Sequence, residues 1–205
     1  MKVVVFDYGS GNTHSVVRAL IEVGADVQLT ADPAAARAAD GLVVPGVGAF
    51  AACMAGLTRR GGAEIIRERV RQGRAVLGIC VGHQILFARG EEHGTTAAGL
   101  GIYPGTVRQL PTLRLPHMGW NEVDPHPLAT VLTRGGRFYF AHSYAALGCG
   151  DLPAGAFPAW TTHAGAPFLA AAEYGPVTST QFHPEKSGRA GLALLARWTQ
   201  SLGDR

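Results

Sequence analysis

The chain has 205 residues, 47% of them apolar and 16% charged, with 28 glycines and a formal charge of +3. That length suits one α/β domain over residues 1–205 with a substantial core, and the composition excludes a disordered chain while favouring a sheet covered on both faces. The arginines are interspersed with Glu64 and Glu68 and read as a solvated helix face rather than a nucleic-acid patch, and no apolar run reaches the roughly 18 residues that would cross a bilayer.

Lys2 to Asp7 is a β-branched run ending at the turn Tyr8-Gly9-Ser10-Gly11-Asn12, after which Val16, Val17, Leu20 and Ile21 recur at helical spacing. A dinucleotide fingerprint starting at Gly9 would need its third glycine where His14 stands, so the turn reads as an entry into the helix with Asn12 as N-cap, and no cofactor is expected. Val27 to Thr30 and Gly41 to Val44 read as strands on either side of a short helix from Pro33 to Ala39. The third strand is expected to end at Pro45-Gly46-Val47-Gly48, a turn that can aim backbone N–H groups into a crevice at the sheet's carboxyl edge. Helical patterns cover Ala49 to Leu57 and Gly62 to Gln72, with Gly73 as terminator.

The run Ala75-Val76-Leu77 then leads into Gly78-Ile79-Cys80-Val81-Gly82, and Ile85-Leu86-Phe87-Ala88 follows at helical length. A strand turning sharply into a helix at Cys80 is a nucleophile elbow, with glycines two residues to either side because a Cβ there would block neighbouring chain. Unpaired N–H groups at the helix start favour a thiolate over a free thiol of pKa about 8.5. From Gly101 to about Val123 the pieces broken by Pro104, Pro111 and Pro116 suggest an antiparallel excursion at one side of the sheet. Further strands are expected over Arg137 to Tyr144, Ala159 to Thr162, Phe168 to Glu173 and Val177 to Phe182, with a loop from Gly148 to Pro158 and a closing amphipathic helix through Leu192, Leu195, Trp198 and Leu202.

A thiolate attacking a carbonyl needs a base and a group to orient it. His183 and Glu185 supply both, because residues two apart in an extended segment face the same way and Pro184 biases His183 toward extended backbone. In this arrangement the N–H groups of Val47 and Val81 form the oxyanion hole. The other histidines have no paired metal spacing, so no metal site is expected, and Cys53 and Cys149 lack an elbow and read as bystanders. Three cysteines without a disulfide framework, and a strand-like start in place of a signal peptide, fit a reducing cytoplasm.

The triad of Cys80, His183 and Glu185, with the elbow Gly78 to Gln84, resembles the class I (triad) glutamine amidotransferases. Asp7 to Asn12, Pro45 to Phe50, Pro116 to Asn121, Phe140 to Tyr144 and Gln181 to Ser187 carry the likeness further, to the glutaminase subunits of imidazole glycerol phosphate synthase. The resemblance implies a flavodoxin-like, mostly parallel sheet flanked by helices. It implies Cys80 attacking the side-chain amide of L-glutamine, His183 as acid and base, and Glu185 orienting it. Gln84 and Val47 match glutamine-pocket positions. Asn12, Met118, Trp120, Asn121 and Lys186 match a docking face for a separate (β/α)8-barrel cyclase subunit, which uses the ammonia to make imidazole glycerol phosphate and an aminoimidazole carboxamide ribotide. His83 departs from the methionine usual in that subunit family and gives the Gly-His-Gln of the anthranilate and carbamoyl phosphate glutaminases. Glutaminase of an anthranilate-type synthase, a catalytically silent docking subunit and a free-standing peptide hydrolase are the competing readings.

Overall fold

The computed structural model describes residues 1–133 and 135–203. Its first half alternates strand and helix: β1 (Lys2–Phe6), α1 (Thr13–Glu22), β2 (Asp26–Thr30), α2 (Pro33–Ala38), β3 (Gly41–Gly46), α3 (Phe50–Arg59), α4 (Gly62–Arg71) and β4 (Ala75–Cys80). After α5 (Val81–Gln84) come β5 (Phe87–Glu92), β6 (Thr95–Ala98), β7 (Tyr103–Gln109), β8 (His117–Pro125), β9 (Gly136–His142) and β10 (Tyr144–Ala146). The chain ends with β11 (Phe157–His163), β12 (Ala166–Tyr174), β13 (Val177–Thr180) and α6 (Gly188–Gln200).

Nine strands form one sheet in the order β2-β1-β3-β4-β13-β12-β11-β8-β9. The strands from β2 to β13 run parallel, and beyond β13 every pairing is antiparallel. This is the expected α/β fold with an antiparallel continuation on one edge. Two helix groups, α1 with α6 and α2 with α3 and α4, flank the parallel strands. Because both faces are covered, β3 and β4 are buried at every residue, which is why they read as unbroken apolar runs. The strand β8, by contrast, alternates between buried and exposed positions.

Several expectations are corrected. β3 continues through Pro45 and Gly46, which pair with Ile79 and Cys80. The elbow helix is a single turn, and Phe87 begins a strand instead of extending the helix. The reason is tertiary: Ile85, Leu86 and Phe87 are all buried, so the segment is enclosed on every side and its apolar run cannot report helical period. β5 and β6 then make a hairpin across His93 and Gly94, both with positive φ, within a second sheet ordered β10-β7-β5-β6. Asn12 sits at the N-cap position of α1 without a side-chain capping bond. Arg69 does not belong to the solvated face of α4. It is buried, and its guanidinium donates to the carbonyl oxygens of Ala36, Arg37, Ala39, Asp40 and Ala75, so α4 is pinned to the ends of α2 and the start of β4. No helix among the described residues is long and apolar enough to cross a membrane.

Candidate active site

The parallel pairing of β4 with β13 sets Ile79 beside Thr180, so Cys80 and the segment Gln181 to His183 leave the same carboxyl edge of the sheet side by side. Cys80 has φ 57° and ψ −113°, a conformation rare for a residue with a side chain. The turn is held by close backbone approaches: a Cβ on Gly82 would run into the Val44 carbonyl oxygen, and one on Gly78 would lie 2.6 Å from the Gly82 oxygen. The sequence reason for those glycines is therefore the physical one.

Cys80, Val81, Val47, Gln84 and His183 share the wall of one cavity of about 580 Å³. His183 Nδ1 lies 2.8 Å from Glu185 Oε1. Glu185 reaches the imidazole from a 3-10 turn over Pro184–Lys186, not from an extended strand, so the expected contact is made by a different backbone route. Ser187 Oγ donates to the His183 carbonyl at 2.6 Å and accepts from the Tyr139 N–H, fixing the turn. Burial works to lower the His183 pKa, but hydrogen bonding to Cys80 and Glu185 and their negative charges outweigh it and raise it to about 9. At neutral pH the imidazole is thus charged and able to release a proton.

The predicted oxyanion donors differ from one another. Val81 opens α5, where an N–H has no partner within the helix. The Val47 N–H instead donates to Ser10 Oγ at 3.1 Å, while Ser10 Oγ donates back to the Val47 oxygen at 2.8 Å. Cys53, expected to be a bystander, is part of this clasp: its Sγ lies 3.1 Å from Ser10 Oγ and 3.3 Å from the Val47 oxygen. The Cys53 thiol is pushed up by burial and stays protonated as a donor. The side chain of Cys149 lies outside the described residues.

Gln84 lines the cavity with both amide hydrogens engaged, to the Tyr144 carbonyl at 2.7 Å and to Gln181 Oε1 at 2.9 Å, and Gln181 Nε2 in turn points at Cys80 Sγ at 3.9 Å. His83 does not face the cavity. Its Nδ1 lies 2.8 Å from Ser179 Oγ and its ring packs on Phe87, and burial lowers its pKa to about 3. Sequence reasoning misses Glu92 and Tyr144, which also line the cavity. Glu92 follows Glu91 in what reads as a polar stretch after a helix, and only the β5–β6 hairpin turns it inward, where it accepts the Phe50 N–H at 2.7 Å.

Of the residues matched to a docking face, Met118 and Trp120 stand on one side of β8, 65% and 45% exposed. Trp120 meets Tyr139 edge-on at 6.0 Å, and Lys186 Nζ lies 6.0 Å above the same Tyr139 ring, so these residues form a continuous patch beside the cavity mouth. Asn121 occupies the other side of β8 and donates to the Thr162 carbonyl at 2.7 Å across to β11. Asn12 is exposed at the start of α1. Among the described residues no group of three or more His, Cys, Asp or Glu side chains could hold a metal ion.

The family model for class-I glutamine amidotransferases matches residues 4–199. The chain is 58% identical over 204 residues to the imidazole glycerol phosphate synthase subunit HisH of Mycolicibacterium paratuberculosis, covering 98% of each. It is 55% identical over 204 residues to the protein of the same name from Cutibacterium acnes, again covering 98% of each. A crystal structure of a glutamine amidotransferase superposes with a TM-score of 0.76 at 19% identity, over 98% of both chains, which is a likeness of fold.

Proposed function

The chain belongs to the class I glutamine amidotransferases, within the family of imidazole glycerol phosphate synthase HisH subunits, and from that premise we propose that it hydrolyses L-glutamine and delivers the ammonia to a cyclase subunit for histidine biosynthesis. The observation that carries this reading is the meeting of Cys80, His183 and Glu185 at one cavity. The Cys80 thiolate attacks the side-chain carbonyl carbon of glutamine, forming a C–S bond and moving the carbonyl electron pair onto oxygen. His183, charged at neutral pH, gives its proton to the departing nitrogen, ammonia leaves, and a γ-glutamyl thioester remains. Neutral His183 then takes a proton from water as its oxygen attacks, and the C–S bond breaks to release glutamate and Cys80. Glu185 holds the imidazole and stabilises its charge from Nδ1.

The Val81 N–H is the ready donor to the oxyanion, and the Val47 N–H joins it once its bond to Ser10 is released. Glu92 offers a carboxylate for the α-ammonium group of glutamine, and Gln84 presents its free Oε1 to the same substrate. The partner is a (β/α)8-barrel cyclase chain that seats on the Met118, Trp120 and Lys186 patch with Asn12 and Asn121 at its margins. Residues 1–205 act as one amidotransferase domain in the cytoplasm, consistent with the unpaired cysteines Cys53 and Cys80.

The decisive variant is Cys80→Ala assembled with a cyclase subunit. Glutamine-dependent synthesis is expected to vanish while synthesis from free ammonia persists. Retained glutamine turnover would remove Cys80 from the nucleophile's role.

A further inference from the structure

We infer that His117 and His142 are positioning residues for the nucleophile: they form a hydrogen-bonded relay that links the surface strand β8, by way of the shared Tyr144 carbonyl, to the amides of Gln84 and Gln181 that reach Cys80. The inference rests on the glutaminase reading only for its kinetic consequence, since the relay itself is a matter of geometry.

The two histidines are direct cross-strand partners on β8 and β9. His117 Nδ1 lies 3.1 Å from His142 Nε2, and His142 Nδ1 lies 2.9 Å from the Tyr144 carbonyl oxygen. A carbonyl only accepts, so His142 carries its hydrogen on Nδ1. Both rings are buried, with Phe140 and Phe168 packed around His117. Burial pulls the pKa of His142 down to about 3 and that of His117 to about 4, the neighbouring His163 adding to both effects. A neutral His142 bonded through Nδ1–H has a bare Nε2, which must accept, and His117 therefore donates from Nδ1. Both histidine bonds point inward to the Tyr144 carbonyl, which Gln84 meets as a second donor from the cavity side.

The consequence lies at the far end. The Tyr144 carbonyl accepts from both His142 and Gln84, so its two lone pairs are occupied and its peptide cannot turn freely. That fixes the Gln84 amide, whose second hydrogen goes to Gln181 Oε1, and so fixes which end of the Gln181 amide faces Cys80 Sγ. With the relay intact a donor N–H faces the sulfur. With Tyr144 released, the two amides are free to flip, and a carbonyl oxygen would then face the thiolate and repel it. His117 is followed directly by the exposed Met118, so the relay also joins the proposed docking strand to the nucleophile.

Replacing His142 by Phe removes the donor to Tyr144, whereas His142→Asn keeps one where Nδ1 stood. The Phe variant is expected to lower kcat between about tenfold and a hundredfold with a smaller change in KM, and to slow alkylation of Cys80 by iodoacetamide in the isolated chain by a similar factor; the Asn variant restores most of both. Nitrogen-15 spectra of the wild-type chain should show His117 and His142 in the Nδ1–H form. Nε2–H forms, or unchanged alkylation in a folded His142→Phe chain, would overturn the relay. If His142→Phe does not fold, unchanged alkylation in a folded His117→Phe chain overturns it in the same way, and the wild-type spectra need no variant. Normal relay behaviour with no glutamine hydrolysis by the wild-type complex would count against the glutaminase reading alone.

Discussion

The strands β1, β3, β4 and β13 and the strands β11, β8 and β9 belong to one sheet but obey different rules. The first group is parallel, closed in by helices on both faces, and carries Cys80 at its carboxyl edge. The second is antiparallel, alternates buried with exposed side chains, and carries the Met118 and Trp120 patch. The difference separates two tasks. A strained Cys80 at φ 57° survives only where packing on all sides over-determines it, whereas the proposed docking surface needs a free face.

If that division holds, perturbing the parallel half should cost stability and perturbing the antiparallel edge should cost association. The largest effect is expected for Gly82→Ala. Its Cβ would collide with the Val44 carbonyl, so α5 and β3 must separate, with a loss of about 4 kcal/mol or more in a denaturant titration. A folded, active Gly82→Ala protein would mean the elbow is far more pliant than its geometry.

Protonation tests the same contrast in both regions. His83 under the elbow and His117 and His142 in the antiparallel part are held neutral by burial. Their contribution is fully present above the unfolded value of about 6.5 and is lost as pH falls toward about 4 for His117 and about 3 for the other two, an acid loss on the order of 3 kcal/mol or more. His183 works in the opposite sense: its contribution is complete below about 6.5 and disappears as pH rises through about 9. Thermal midpoints across pH should therefore fall on both sides, and a flat acid limb would contradict the neutral histidines.

Trp120→Ala should leave the melting temperature nearly unchanged yet weaken binding of a cyclase subunit by about 2 kcal/mol, measured by calorimetry. Equal loss of stability and binding would erase the division between the two halves. The smallest effect is expected at the junction, for Ser10→Ala. Freeing the Val47 N–H should raise glutamine hydrolysis by the isolated chain about tenfold, one oxyanion donor being worth at least that when fully aligned. No rise would mean that the Val47 peptide is held by more than Ser10, the Cys53 bond to its carbonyl being the first candidate.

The legibility of the sequence follows the same division. β1, β3 and β4 can be read because strands buried on both faces leave an uninterrupted apolar record, and the elbow because glycines at 78 and 82 answer a purely local crowding. The stretch after Gln84 cannot. Ile85 to Phe87 is buried on all sides, so its pattern fits helix and strand equally, and the hairpin that carries Glu92 to the cavity depends on pairing with β7. Arg69 is equally opaque, because an arginine among charged neighbours looks solvated until the carbonyl oxygens it satisfies are brought in from α2 and β4.

The sequence by itself marked Cys80, His183 and Glu185 as the candidate triad, since elbow glycines and a His-Pro-Glu spacing are short-range features. Only the tertiary structure decided what surrounds them: that the Val47 peptide is clasped by Ser10 at its N–H and by Cys53 at its carbonyl, that His83 faces Ser179 instead of the cavity, and that His117 and His142 join hands across two strands. Each of those contacts links residues brought together by strand order, and strand order is not written in any local pattern.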